Sequence, residues 1–203
     1  MGGCYLNNEN KTVHMKNELF TLDSEWLPLD LLGSPYGDYY PESVCTVPLN
    51  ATHVLFTGGY DRATNTYLTD TWILDLVDLA WTPSAPMPTG RTIHGCAMVG
   101  SHKAAVVGGS DGQEAVARIH IFHPETVNWS ISGSLPPEAE LNYYYYPRVF
   151  GWKGELMLLE SFSENIWLRG HGNWTLMDVR LGANFDGAYD TAILVPDKFA
   201  EEL

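Results

Sequence analysis

The stretches VLFTGG at residues 54–59 and AVVGG at 105–109 decide the fold, because an apolar run ends in a glycine pair in both. A tryptophan follows each pair at a similar distance: Trp81 stands 22 residues after the first pair, and Trp129 stands 20 residues after the second. A second apolar segment precedes each tryptophan. Because these features recur in register, they predict a repeat architecture.

The same frame reaches both ends of the chain. Gly2 and Gly3 are followed by Trp26, and a degenerate fourth copy carries Glu160 and Ser161 where the other copies carry glycine. The last residues of the successive pairs (3, 59, 109 and 161) lie 56, 50 and 52 residues apart. A period near 50 residues is that expected of the kelch repeat.

The pattern resembles the kelch motif: an apolar strand, a glycine pair, a variable loop, a second apolar strand, a short turn and a tryptophan. This resemblance implies an all-β fold, a kelch-type β-propeller of four-stranded antiparallel blades with about four blades present. It also implies a ring of six or seven blades, of which this chain is a part. The alternative is a closed four-bladed ring in which the last strand completes the first blade. A WD-repeat propeller is disfavoured, because no Gly-His or Trp-Asp pair recurs.

One partial propeller domain is therefore expected over residues 1–203, with repeats at about 1–32, 41–84, 92–133 and 145–180 and a last strand at 188–195. The four strands of a blade are called a to d in chain order, and the glycine pair ends strand b. The first copy is expected to hold only strands c and d. In the second copy we predict strands at 43–48, 52–58, 70–75 and 80–83, and in the third at 94–99, 103–108, 117–122 and 128–132.

The formal charge is −14, from 25 acidic and 11 basic side chains. Such a surface repels phosphate backbones and anionic lipid, so we expect neither nucleic acid nor a membrane as a partner. No apolar run approaches the roughly 20 residues that a membrane-spanning helix needs. The charge alone identifies no partner.

Antiparallel strand order places the b–c and d–a loops at one rim of a propeller. Tyrosines with a few charged residues at such a rim are typical of a recognition surface, so we predict a non-enzymatic module that binds a protein or a glycan there. The other interpretation is that the tyrosines only cap the blade ends. The predicted rim consists of Tyr36, Asp38, Tyr39, Tyr40, Asp61, Arg62, Arg91, Asp111, Tyr143 and Asp186.

Three rival functions remain at this point. The chain could be a fragment of a galactose-oxidase-like copper oxidase, since tyrosine and histidine are available, but the spacing selects no catalytic residue, metal ligand or cofactor. A ubiquitin-ligase substrate adaptor would require BTB and BACK regions, for which 203 residues leave no room. The last rival is a partial gene product with no independent role.

The compartment is predicted from four N-glycosylation sequons, at Asn10, Asn50, Asn128 and Asn173, which exceed the number expected by chance. Segments at 45–52 and 192–199 are also similar to invertebrate kelch proteins that look secreted. We therefore expect an extracellular, secreted glycoprotein, with a cytoplasmic protein as the alternative.

Cys45 and Cys96 stand at nearly equivalent positions ahead of the glycine pairs. A disulfide needs Cα atoms within about 7 Å, and innermost strands usually hold such positions further apart. Buried free thiols are therefore the expectation for both.

Overall fold

The computed structural model describes the backbone of residues 2–7, 12–20, 26–28, 34–36, 41–139, 147–160 and 165–180, and the side chains of 34–36, 41–139, 147–160 and 165–178. Within these residues the chain forms seventeen β-strands and no α-helix, so none of them forms a helix that could cross a bilayer. The chain divides into two compact units, Met1–Thr92 and Ile93–Leu203.

The first unit begins with three antiparallel strands in the order β1-β2-β3: β1 (Gly2–Asn7), β2 (Thr12–Phe20) and β3 (Trp26–Pro28). The sequence predicts only two strands here, with the glycine pair ahead of them. Instead Gly2 and Gly3 lie inside β1, opposite Asn17 and Lys16 of β2. This difference has a simple cause, because glycine adopts extended backbone as readily as a left-handed turn.

The second sheet of this unit has four antiparallel strands in the order β4-β5-β8-β9. The innermost, β4, is followed by β5, a short hairpin of β6 and β7, and then β8 and β9. Each of the four sheet strands lies within two residues of its predicted limits. The bounds are β4 (Cys45–Pro48), β5 (His53–Thr57), β6 (Tyr60–Asp61), β7 (Thr66–Tyr67), β8 (Thr71–Asp75) and β9 (Ala80–Pro83).

The second unit contains two further four-stranded antiparallel sheets, ordered β10-β11-β12-β13 and β14-β15-β16-β17. They correspond to the third and fourth copies, and they confirm the prediction of an all-β fold built from four-stranded blades. The bounds are β10 (Gly95–Val99), β11 (Lys103–Val107), β12 (Arg118–His123), β13 (Asn128–Ser134), β14 (Arg148–Trp152), β15 (Glu155–Leu159), β16 (Asn165–Gly170) and β17 (Asn173–Arg180).

The third and fourth sheets share one apolar core, in which Ile119 is fully buried and Trp167 lies against Leu158 and other aliphatic side chains. Their innermost strands, β10 and β14, approach backbone to backbone at glycine. A Cβ atom on Gly95 would lie 2.2 Å from the carbonyl oxygen of Pro147, and one on Gly151 would lie 2.1 Å from that of Met98. Only glycine therefore fits at these two positions.

The glycine pairs of the second and third copies have similar backbone conformations. Gly58 and Gly59 have φ of 67° and 106°, and Gly108 and Gly109 have φ of 68° and 89°. These angles lie in the region that side chains disfavour, which explains why the repeat requires glycine here. The second carbonyl of each pair accepts a hydrogen bond from the far side of the following loop, from Leu68 N–H at 2.9 Å and from Val116 N–H at 2.8 Å.

Trp81, Trp129 and Trp174 are only half-buried and lie on the outermost strands of their sheets. Trp81 packs edge-on against Phe56, with ring centroids 4.7 Å apart, and Trp129 packs against Phe122 at 5.1 Å. Trp174 instead donates its indole N–H to the carbonyl of Ser134 at 2.8 Å, which joins the fourth sheet to the third. Trp81 and Trp129 therefore stabilise the packing within their own sheets, and Trp174 links two sheets.

Cys45 and Cys96 are each disulfide-bonded, so the expectation of a free thiol is wrong at both positions.

Candidate functional site

The b–c loops of the second and third copies share an Asx turn directly after the glycine pair. Asp61, two residues after its glycine pair, accepts hydrogen bonds from the backbone N–H groups of Ala63 and Thr64 and from the Thr64 hydroxyl. Asp111, at the same place in the next copy, accepts backbone N–H bonds from Gln113 and Glu114 at 2.9 and 3.0 Å. Each aspartate is thus an Asx-turn residue that shapes its own loop.

The charge on Asp61 is favoured by these bonds. The Thr64 hydroxyl, with help from the Ala63 backbone N–H, holds the pKa of the Asp61 carboxyl below its usual value of 3.8. Asp75, the last residue of β8 before the c–d turn, shows the same shift: hydrogen bonds from the backbone N–H groups of Val77 and Asp78 lower the pKa of its carboxyl. In both turns the ionised carboxylate, rather than the neutral acid, is the form that organises the backbone.

The b–c loop of the second copy is a stiff hairpin. The rings of Tyr60 and Tyr67 face each other across its two strands with centroids 5.0 Å apart, and the Tyr60 hydroxyl donates to the side chain of Asn65. Arg62 forms an ion pair with Glu42, yet its side chain remains 70% exposed. The hairpin therefore presents a charged, accessible tip on an ordered base.

Two other predicted rim residues occupy different surroundings. Arg91 lies in the d–a segment, and its backbone exchanges hydrogen bonds with the b–c loop, to Gly59 at 2.8 Å and to Leu68 at 3.3 Å. Its side chain, however, is completely buried. Tyr36 is half-buried against Trp81, whose partner across the sheet is Leu74, beside the c–d turn. Tyr36 thus lies toward the end of the second sheet opposite to Asp61.

The remaining predicted rim residues fall outside the described residues. They are Asp38, Tyr39, Tyr40, Tyr143 and Asp186. The predicted last strand at 188–195 also lies outside the described residues. Of the described rim residues, the structure brings Asp61 and Arg62 together in one loop beside the backbone of Arg91. Asp111 occupies the equivalent loop of the third copy.

The sequon asparagines that the structure describes are exposed and lie at turns. Asn50 uses its side-chain oxygen to accept bonds from the backbone N–H groups of Thr52 and His53, at 2.8 and 2.9 Å. Asn128 begins β13 and Asn173 begins β17. Asn10 is outside the described residues. Turn formation thus accounts for the choice of asparagine at position 50 without a glycan.

The fourth copy replaces the glycine pair with a carboxylate. Glu160 is only 7% exposed and accepts hydrogen bonds from the indole N–H of Trp167 at 2.6 Å and from the amide of Asn165 at 3.0 Å. Its backbone N–H donates to the carbonyl of Asn165 at 3.0 Å. This cluster, called the Glu160 clamp below, closes the b–c connection of the fourth sheet. Its only signal in the sequence is the polar residue that interrupts the glycine pattern.

A cleft of about 640 Å³ lies in the second unit at the ends of the third and fourth sheets opposite to the b–c loops. No local sequence pattern predicts this cleft, because its walls come from three separate turns and from several strands. Its lining consists of Val99, Gly100, Ser101, His102, Lys103, Ile121, His123, Pro124, Glu125, Thr126, Ser130, Ile131, Ser132, Gly154, Glu155, Leu156 and Arg169.

Among the side chains that the structure describes, no group of three or more histidine, cysteine, aspartate or glutamate residues is arranged to hold a metal ion. The residues that could supply a copper site in the oxidase hypothesis are therefore not identified in this part of the chain.

Comparison with known proteins shows similarity to kelch-repeat proteins. Two F-box/kelch-repeat proteins of Arabidopsis thaliana are each 32% identical to this chain, over 97 and 102 residues, or 47% of its length. The matched region is about half of this chain and spans 23% and 24% of the length of those relatives. The chain matches no protein-family model.

These relatives correct the predicted compartment. F-box/kelch-repeat proteins are typically intracellular, so the expectation of an extracellular, secreted protein is wrong. The sequons misled the prediction because asparagine, serine and threonine are also common turn residues, and the structure places the described sequons at turns.

Proposed function

We propose that this chain, which is similar to kelch-repeat proteins and is built from four-stranded blades, is a protein-binding module that contacts its partner through the b–c loops at 58–70 and 108–117. The observation that carries the proposal is the repeated Asx turn, in which Asp61 and Asp111 each hold the backbone of an exposed loop. Loops that are ordered before binding lose less conformational entropy on association, so a given contact contributes more to affinity.

The chemistry of the loops favours a protein over a glycan. The loop tips expose Arg62, Thr64 and Asn65 in the second copy and Gln113 and Glu114 in the third. Such side chains supply charge and hydrogen bonding, which orient one protein on another. The two tyrosine rings of the hairpin pack on each other, which leaves less aromatic surface for stacking on a sugar. No catalytic step is assigned to these loops.

Site-specific photo-crosslinking tests the proposal. A photoreactive amino acid is placed at Thr64 or at Gln113, and the purified chain is irradiated in a lysate of its source organism. Val77, which is 71% exposed in a c–d turn, is the matched control site. We expect the same crosslinked protein from both loop variants and a much weaker product from the Val77 variant.

Charge reversal then tests whether Arg62 takes part. Arg62→Glu in the Thr64 variant should lower the crosslinking yield severalfold while leaving the thermal unfolding temperature within about 2 °C, since Arg62 contributes only an exposed ion pair. Equal capture from the Val77 variant, or different proteins from the two loops, would show that the b–c loops are not the recognition surface.

A further inference from the structure

The outermost strands of the three four-stranded sheets differ in how their own residues oppose the pairing of a further strand. β9 is only four residues long and ends at Pro83, and β17 contains Asp178 and Arg180. β13 is seven residues long, and its sequence NWSISGS contains neither a charged residue nor a proline. Short length, proline and charge are the usual features that keep an edge strand from pairing with another chain. The sequence of β13 therefore supplies no such protection.

β13 also has properties that favour edge-to-edge association. Ile131, in the middle of the strand, is 56% exposed. Segments of about six or seven residues with low net charge and no proline are prone to such association when they lie at the edge of a sheet. Two copies of one edge strand can pair antiparallel about a two-fold axis. A second copy of this chain is therefore the partner that always carries a matching edge.

The direction of the free edge of β13 follows from a single peptide group. The backbone N–H of Leu135 donates to the carbonyl of Ala117, which directly precedes β12, at 2.8 Å. The carbonyl of Ser134 belongs to the same trans peptide group, in which the N–H and the C=O point in opposite directions. The Ser134 carbonyl therefore points away from β12, toward the edge at which a further strand would add.

Two side chains of the fourth sheet bond to carbonyls of β13. Trp174 of β17 donates its indole N–H to the Ser134 carbonyl at 2.8 Å. Arg169 of β16 donates through Nη2 to both the carbonyl and the hydroxyl of Ser132, and the hydroxyl contact measures 3.2 Å. A strand that added to this edge would have to compete with these donors. Because they belong to the same chain, their hydrogen bonds form without the entropy loss of association.

We propose that Arg169 and Trp174 protect the outer edge of β13 from antiparallel pairing with the β13 strand of a second copy of this chain. The neighbouring blade thus supplies the protection that the sequence of β13 lacks. This role concerns the outer edge of the third sheet, so it does not depend on the function proposed for the b–c loops.

Analytical ultracentrifugation of the full chain over a range of concentrations tests the proposal. The double variant Arg169→Met, Trp174→Phe removes the side-chain donors and keeps a large apolar side chain at both positions. We expect it to self-associate about tenfold more tightly than the unmodified chain, because the freed carbonyls can accept hydrogen bonds from a second copy. Hydrogen exchange should show new protection at the β13 amides on association. A folded double variant that associates no more tightly than the unmodified chain would overturn the proposal.

Further variants separate edge pairing from a general loss of stability. Ile131→Lys, added to the double variant, places a charge on the edge strand and should return the association to that of the unmodified chain. Asn165→Ala is the matched control, because Asn165 also lies on β16 but bonds to Glu160, and it should leave the association unchanged. Equal association in Asn165→Ala, or association that persists with Ile131→Lys, would show that exposed apolar surface is the cause and would overturn the proposal.

A single substitution decides the question if the double variant does not fold. Trp174→Phe keeps the aromatic ring and the Arg169 hydrogen bonds and removes only the indole N–H that reaches Ser134. We expect this variant to self-associate more tightly than the unmodified chain, but less tightly than a chain without both donors. Unchanged association in folded Trp174→Phe would contradict a protective role for the indole.

Discussion

The third and fourth sheets differ in the residues at which the chain leaves strand b. Both have the same strand order, and in both the register between strands c and d shifts near the start of strand c. The third sheet leaves strand b through Gly108 and Gly109 in left-handed conformations, whereas the fourth uses the buried Glu160 clamp. The topology therefore requires a satisfied b–c connection, and either backbone freedom or a side-chain acceptor can supply it.

Among the variants that test this comparison, Gly108→Ala should lower the free energy of unfolding the most. The new Cβ would combine a left-handed φ of 68° with a distance of 2.8 Å to Cγ of Pro147, whose ring cannot rotate away. Left-handed strain and overpacking each cost about 1–2 kcal/mol, so we expect a loss of about 3 kcal/mol in the free energy of unfolding, measured by urea denaturation.

Gly100→Ala is the matched control for that substitution. Gly100 has a φ of 60°, but a Cβ there would meet no atom within 4 Å. Only the backbone strain remains, so the loss should be about 1 kcal/mol. If the two variants were equally destabilised, close packing against Pro147 would not be the reason for glycine at 108.

Glu160→Ala should give the next largest effect, because it leaves the buried indole N–H of Trp167 without its acceptor. We expect a loss of about 2 kcal/mol in the free energy of unfolding. Asn165→Ala removes only one donor from the Glu160 clamp and should cost about 1 kcal/mol. The same urea denaturation measures both. A smaller loss for Glu160→Ala than for Asn165→Ala would show that the carboxylate does not hold the fourth sheet.

The smallest expected effect is a loss of local order in the Asp61 turn at low pH. The pKa of the Asp61 carboxyl in the folded chain lies below its usual value of 3.8. A carboxyl with a lowered pKa stabilises the turn fully above its usual pKa, and that contribution is lost as the pH falls through the folded value. Hydrogen exchange at the Ala63 and Thr64 amides, corrected for the intrinsic rate, should therefore lose protection below about pH 4.

Asp61→Ala should remove that protection at every pH, while the amides of the equivalent Asp111 turn stay protected. Protection at Ala63 that is unchanged in the variant would mean that the backbone alone holds the loop.

Local patterns made most of the fold predictable. A glycine pair that ends an apolar run predicts both the strand before it and the left-handed conformation at its end. The predicted limits of the strands around Gly59 and Gly109 therefore agree with the observed limits to within two residues. The same pattern failed at Gly2 and Gly3, because glycine permits an extended strand as well as a turn. The repeated aspartate after the pair was visible in the sequence and signals the Asx turn, although it was interpreted only as a rim residue.

Features that depend on side-chain packing between sheets could not be predicted from the sequence. The cleft of the second unit is lined by turns that are far apart in the sequence, and nothing in the sequence pairs Arg169 with Ser132. The burial of Arg91 was equally hidden, since arginine is seldom fully buried.

Gly95 and Gly151 limit which blades can be exchanged by recombination. The two carbonyl contacts at 2.2 and 2.1 Å from a hypothetical Cβ mean that β10 and β14 are fitted to each other along their backbones. A blade transplanted or duplicated by itself would bring a side chain into that seam. Recombination in this half of the chain should therefore succeed when it moves the third and fourth blades as a matched pair, and fail when it separates them.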